Sequence, residues 1–103
     1  MYIAQYTRAA YNSNSDVPDR CWNNCPNAHR VLRKAVADAE KYSVDTGQPR
    51  TWANNTRIIH TDGSLLSNIE EEQCREMEEC PLCGKARGYT DIILDTPCYD
   101  CRG

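Results

Sequence analysis

The sequence predicts a small α+β domain. Three observations carry that expectation: two segments have a helical apolar period, two short β-prone runs flank the first of them, and two C-x-x-C pairs stand near the C-terminus. With 103 residues the chain buries a limited core, so its stability is expected to lean on a staple. Aromatic residues make up 8% and Phe is absent, yet the apolar positions fall in periodic groups, which argues for folding rather than disorder.

The elements follow in chain order. Tyr2 to Arg8 (YIAQYTR) reads as a strand with Tyr2, Ala4 and Tyr6 on one face. Asn12 to Asp19 is dense in turn formers and reads as a loop. A helix is expected over about 26–42, where Ala28, Val31, Leu32, Ala35, Val36, Ala39 and Tyr42 share one stripe and Pro26 suits the first turn. Arg30, Lys34 and Lys41 lie opposite that stripe, and Gly47-Gln48-Pro49 stops the helix. Thr56 to Thr61 (TRIIHT) reads as a second strand, closed by Asp62-Gly63 and available to pair with the first.

A second helix is expected over about 67–79, opened by Ser67 and Glu70 at capping-box spacing. Leu66, Ile69 and Met77 give it a thin apolar face, and Glu70, Glu71, Glu72, Glu76, Glu78 and Glu79 an acidic one. Glu78 and Glu79 oppose the helix dipole, which suggests a use beyond helix stability; the alternative is a merely solvated face. Glu71, Glu72, Glu78 and Glu79 are therefore the expected partner-binding residues.

Charge is uneven along the chain. Residues 1–61 carry 8 Lys and Arg against 5 Asp and Glu, whereas residues 62–103 carry 4 against 10. The total of −3 gives no general attraction to nucleic acid. No stretch approaches the roughly 20 apolar residues that span a bilayer, and the N-terminus lacks signal-peptide architecture, so a cytoplasmic protein without membrane contact is expected.

Seven cysteines, an odd number, argue against a disulfide framework in this setting. Cys80-Pro81-Leu82-Cys83-Gly84 and Cys98-Tyr99-Asp100-Cys101 place two thiols each on a tight turn, and four thiolates form a closed coordination sphere for Zn²⁺. Ile92, Ile93 and Leu94 are expected to form the strand that returns the chain to the second turn. At these residues the sequence resembles the zinc-ribbon superfamily, with its CPxCG knuckle, β-hairpin and second CxxC, over residues 80–103 alone. Cys98-Tyr99-Asp100-Cys101-Arg102-Gly103 also resembles the start of the CxxCxGxG repeat in the cysteine-rich domain of DnaJ-type chaperones, although no His-Pro-Asp motif occurs. The resemblance implies a structural metal site and leaves function open. The expected organisation is an α+β unit over 1–79 and a zinc ribbon over 80–103, packed as one compact body.

Cys21, Cys25 and His29 follow a C-x₃-C-x₃-H spacing across the expected start of the first helix, where Cys25 and His29 would stand one turn apart. With His60 or Cys74 as a further ligand they form a candidate second metal site; the alternative is a packing and capping role. The leading expectation for function is a small, non-enzymatic, zinc-binding interaction or regulatory protein whose protein partner presents a basic surface. In scale it resembles the accessory regulators with which bacteriophages and bacteria bind or inhibit a host protein, which would place it in a host cytoplasm. The alternatives are a nucleic-acid-binding regulator using Arg30, Lys34 and Lys41, and a metal- or thiol-dependent enzyme with Cys25 as the best-placed thiolate.

Overall fold

The structure, a computed structural model, describes residues 1–8, 11–43 and 55–102. It is an α+β arrangement in which a three-stranded antiparallel sheet, β2-β1-β3, carries a helix on one face. Strand β1 spans Tyr2–Tyr6, β2 spans Asn23–Asn24 and β3 spans Thr56–His60. The helices are α1 (Leu32–Tyr42), α2 (Asn68–Glu78), α3 (Tyr89–Leu94) and α4 (Tyr99–Arg102). No helix among the described residues is long and apolar enough to cross a membrane.

The register of β1 with β3 pairs Ala4 with Ile58, and Tyr2 and Tyr6 with His60 and Thr56. Alternation therefore turns Tyr2, Ala4 and Tyr6 to one face, as expected from sequence. Ala4 is fully buried there, and both tyrosines pack against the core. Tyr6 stacks on Tyr42 at 5.1 Å between ring centroids, joining the strand to the end of α1. The chain leaves β3 through Gly63, at φ +92°, a left-handed conformation that glycine adopts without Cβ strain.

Helix α1 is the centre of the packing. Its Leu32, Ala35, Val36 and Ala39 join Ala4, Ile58, Cys74 and Ile92 in one buried cluster. The small alanines let strand, α2 and α3 all approach α1 closely. Ile92 belongs to the last quarter of the chain, so this cluster spans the cysteine segment and the sheet together.

Three sequence expectations change here. Helix α1 begins at Leu32, not near Pro26. Residues before it run beside β1 instead, with the Cys25 amide donating to the Ala4 carbonyl and Tyr2 and His29 exchanging both backbone bonds at 2.7 Å. Those bonds satisfy the β1 edge, a tertiary gain that outweighs the local helical period. Ala28 and Val31 are consequently exposed. Second, Ile92, Ile93 and Leu94 lie in helix α3 rather than in a strand, because Ile92 is drawn into the core on α1 while Ile93 and Leu94 face outward. A short helix, and not the β-hairpin that the zinc-ribbon resemblance implied, stands between the two cysteine turns. Third, Glu78 is fully buried. Residues 86–87 return past the end of α2, with Glu79 bridged to Ala86 and the Arg87 amide bonded to the Glu78 carbonyl at 3.1 Å.

The loop over 12–19 contains one short 3₁₀ turn, at Asn14–Asp16, and leads into a second at Asp19–Cys21. The helix stop expected at Gly47-Gln48-Pro49 lies outside the described residues.

Candidate metal centre

The first cysteine turn is built by its backbone. The Cys80 amide donates to the Lys85 carbonyl at 2.7 Å, and the Gly84 amide to the Cys80 carbonyl at 2.9 Å. Gly84 closes the turn at φ +76°, where a side chain would be strained. The second pair occupies one helical turn at α4, with the Cys101 amide bonded to the Cys98 carbonyl at 3.0 Å. Two intervening residues in each turn aim both thiols the same way.

The four ligand atoms of Cys80, Cys83, Cys98 and Cys101 all lie within 4.8 Å of one another, the one such group among the described residues. Cys83 Sγ and Cys98 Sγ are 3.5 Å apart. Tetrahedral zinc, with Zn–S bonds of about 2.3 Å, sets its sulfurs about 3.8 Å apart, so the donor set fits that ion in kind and in spacing. Cys80 Sγ accepts from the Leu82 amide at 3.4 Å and from the Cys98 amide at 3.3 Å, so each cysteine turn supports the same sulfur.

The electrostatics match. The Cys98 amide, helped by those of Leu82 and Cys83, holds the Cys80 thiol down at about 6. Hydrogen bonding to the sulfurs of Cys83 and Cys98, reinforced by burial, pushes Cys101 up to about 12. Four neighbouring thiols do not all ionise without a counter-charge, and a divalent cation supplies it.

Arg87 holds the centre to the rest of the chain. Its side chain is buried, with Nε donating to the Met77 carbonyl at 2.8 Å, Nη1 to the Thr96 carbonyl at 2.7 Å and Nη2 to Asp95 at 3.2 Å. One guanidinium thereby joins the end of α2 to the segment entering Cys98. Arg33 of α1 reaches the same place, donating to the Ile92 carbonyl at 3.0 Å and to Asp95 at 3.2 Å. The sequence carries no local signal for this role beyond the position of Arg87 between the cysteine turns.

The other candidate ligands are dispersed. Cys21 Sγ accepts from the Tyr11 hydroxyl at 3.4 Å, and Cys25 is buried beside Ala4. His29 Nε2 pairs with Asp38 at 2.7 Å, His60 Nε2 with Glu70 at 3.1 Å, and Cys74 is buried in the main core. Cys25 does not stand at a helix N-terminus, and burial, with Asp38 nearby, pushes its thiol up to about 12. The spacing that suggested a shared metal assumed a helix that these residues do not form.

On α2, Glu72 and Glu76 are exposed and Glu71 is half-buried, as is Glu79 just past its end, leaving an acidic side without Glu78. The basic residues do not form one helical stripe: Arg30 precedes α1, Lys34 is exposed in its first turn, and Lys41 Nζ sits 5.7 Å from the Tyr89 ring centroid. No protein-family model, curated protein or solved structure matches the chain.

Proposed function

We propose that the protein is a non-enzymatic interaction or regulatory protein whose last quarter is organised by one Zn²⁺ held by Cys80, Cys83, Cys98 and Cys101. The observation that carries the metal assignment is the convergence of four thiols from two turns to within 4.8 Å. Four thiolates fill the coordination sphere, so the metal would fix the fold and leave no position for substrate. The ion would bring the formal charge from −3 to −5, since four protons leave and two positive charges arrive.

The fixed surface favours a protein partner that presents basic residues to α2. Glu72 and Glu76, with the half-buried Glu71 and Glu79, would act mainly on encounter rate and specificity, because charges open to solvent steer association more than they set final affinity. Two measurements test the proposal. Metal analysis of the purified chain should give one zinc, released by Cys80→Ser or Cys98→Ser. Affinity capture from a candidate host lysate should then return a basic protein, whose association is slowed by the combined Glu71→Lys, Glu72→Lys and Glu79→Lys variant at unchanged zinc content. Binding indifferent to that variant refutes the acidic surface, and a metal-free native chain refutes the zinc assignment.

A further inference from the structure

We propose that Cys83 is a site of reversible oxidation by hydroperoxides, with Cys98 as the thiol that resolves it into a disulfide linking the two cysteine turns. The proposal rests on the metal-centre assignment and adds to it a means of release. Its basis is an asymmetry among the four cysteines. Cys83 is exposed, whereas Cys80 and Cys98 are buried and Cys101 is half-buried. A small oxidant therefore meets Cys83 first. Cys98 Sγ lies 3.5 Å from Cys83 Sγ, so a bond of about 2.05 Å requires only a short approach. Cys80 Sγ is held in place by the Leu82 and Cys98 amides, which disfavours its moving to pair within its own turn.

The chemistry closes with hydrogen peroxide as oxidant. The Cys83 sulfur attacks one peroxide oxygen, the O–O bond breaks, and with proton uptake the products are Cys83 sulfenic acid and water. The Cys98 thiolate then attacks the Cys83 sulfur; the S–S bond forms, the S–O bond breaks, and hydroxide leaves to become a second water. The two sulfurs together lose two electrons and the peroxide gains two. Two thiolates then remain for the metal, which is too few to retain it, and a thiol reductant restores all four.

The sequence provides its own assay. Trypsin cleaves after Arg75, Lys85, Arg87 and Arg102, which separates Cys80 and Cys83 on one peptide from Cys98 and Cys101 on another. Zinc is measured first on the untreated full chain, which tests the metal assignment independently. The chain is then treated anaerobically with hydrogen peroxide, zinc release is followed with an indicator dye, and the unreduced digest is analysed by mass spectrometry. The expected result is one zinc released per cross-linked peptide pair, fragment ions that place the bond between Cys83 and Cys98, and recovery of zinc binding after reduction. Bonds confined to Cys80–Cys83 and Cys98–Cys101, a cross-link through Cys80, or retention of metal with all thiols intact would each overturn the proposal. A Cys83–Cys98 cross-link in a chain that never held zinc would support the thiol pairing and overturn the metal assignment alone.

Discussion

The sheet with α1 and the cysteine segment hold their shape by opposite means. Around α1 the apolar side chains point inward: Ala4, Ala35, Val36, Ala39 and Ile58 are all buried in one cluster. Across residues 80–102 the apolar side chains largely point outward, with Leu82, Leu94 and Tyr99 each more than 60% exposed, while two cysteines, Arg87 and Asp91 are buried. Among the described residues of this segment, Ile92 alone enters the main apolar cluster. Hydrophobic burial accounts for the first region. The second has little apolar burial; its two turns are joined by the Arg87 bonds and meet where the four thiols converge.

The largest expected effect separates the two regions directly. Structural zinc contributes on the order of 10 kcal/mol to folding in small metal-dependent domains. Chelation, or Cys98→Ser, should therefore unfold residues 80–102 and expose their amides to hydrogen exchange, with protection retained longest in β1, β3 and α1. Simultaneous loss of protection in all elements would show that the regions fold as one cooperative unit. Zinc affinity should also fall with pH. Metal binding displaces protons from thiols, and Cys101, raised to about 12 without metal, is protonated at neutrality. Apparent affinity, measured by competition with a chelator, should weaken by roughly tenfold or more per pH unit below neutrality, most steeply once Cys80 also protonates near 6.

Next in size is a cavity in the other region. Ile58→Ala should cost about 2–5 kcal/mol by denaturant unfolding, and zinc stoichiometry should stay unchanged. Loss of metal in this variant would show that the sheet positions the cysteine turns.

Arg87→Gln should fall below that, at about 1.5–3 kcal/mol, because it removes charged donors from the Met77 and Thr96 carbonyls and Asp95. It should raise the rate of zinc loss to a chelator, which an ordinary surface arginine would not do.

The smallest effects belong to the start of α2. Ser67→Ala removes the acceptor for the Glu70 amide and should cost about 1 kcal/mol. Glu70 accepts foremost from the Ser67 amide, then from the Tyr2 hydroxyl and His60, and these bonds hold its carboxyl down at about 2, against the ordinary 4.5. A lowered folded-state value gives stability that is complete above the unfolded value and lost as pH falls through the folded one. The difference in stability between wild type and Glu70→Gln should accordingly be full above pH 4.5, shrink below it and vanish near pH 2.

Local signals were legible where the residues that form an element also stabilise it. The capping box of Ser67 and Glu70, the alternation of Tyr2, Ala4 and Tyr6, the strand at Thr56–His60 and the four-cysteine spacing all stand in the structure as the sequence implied. Each depends on bonds or faces within a few residues, or on thiols whose chemistry admits few other arrangements.

Tertiary structure alone decided the rest. Residues 25–31 have a helical period, but the β1 edge takes their backbone bonds, so Cys25 and His29 never share a helical face. Ile92–Leu94 have strand character, with two β-branched residues, but the burial site that α1 offers to Ile92 favours a helix. Glu78 sits on an acidic helix and is buried by a segment that returns from beyond Cys83, and Arg87 becomes a buried clasp for the same reason. In each case the deciding partner lies far along the chain, and the free energy of a buried contact or a satisfied backbone bond exceeds the small local preference that the sequence displays.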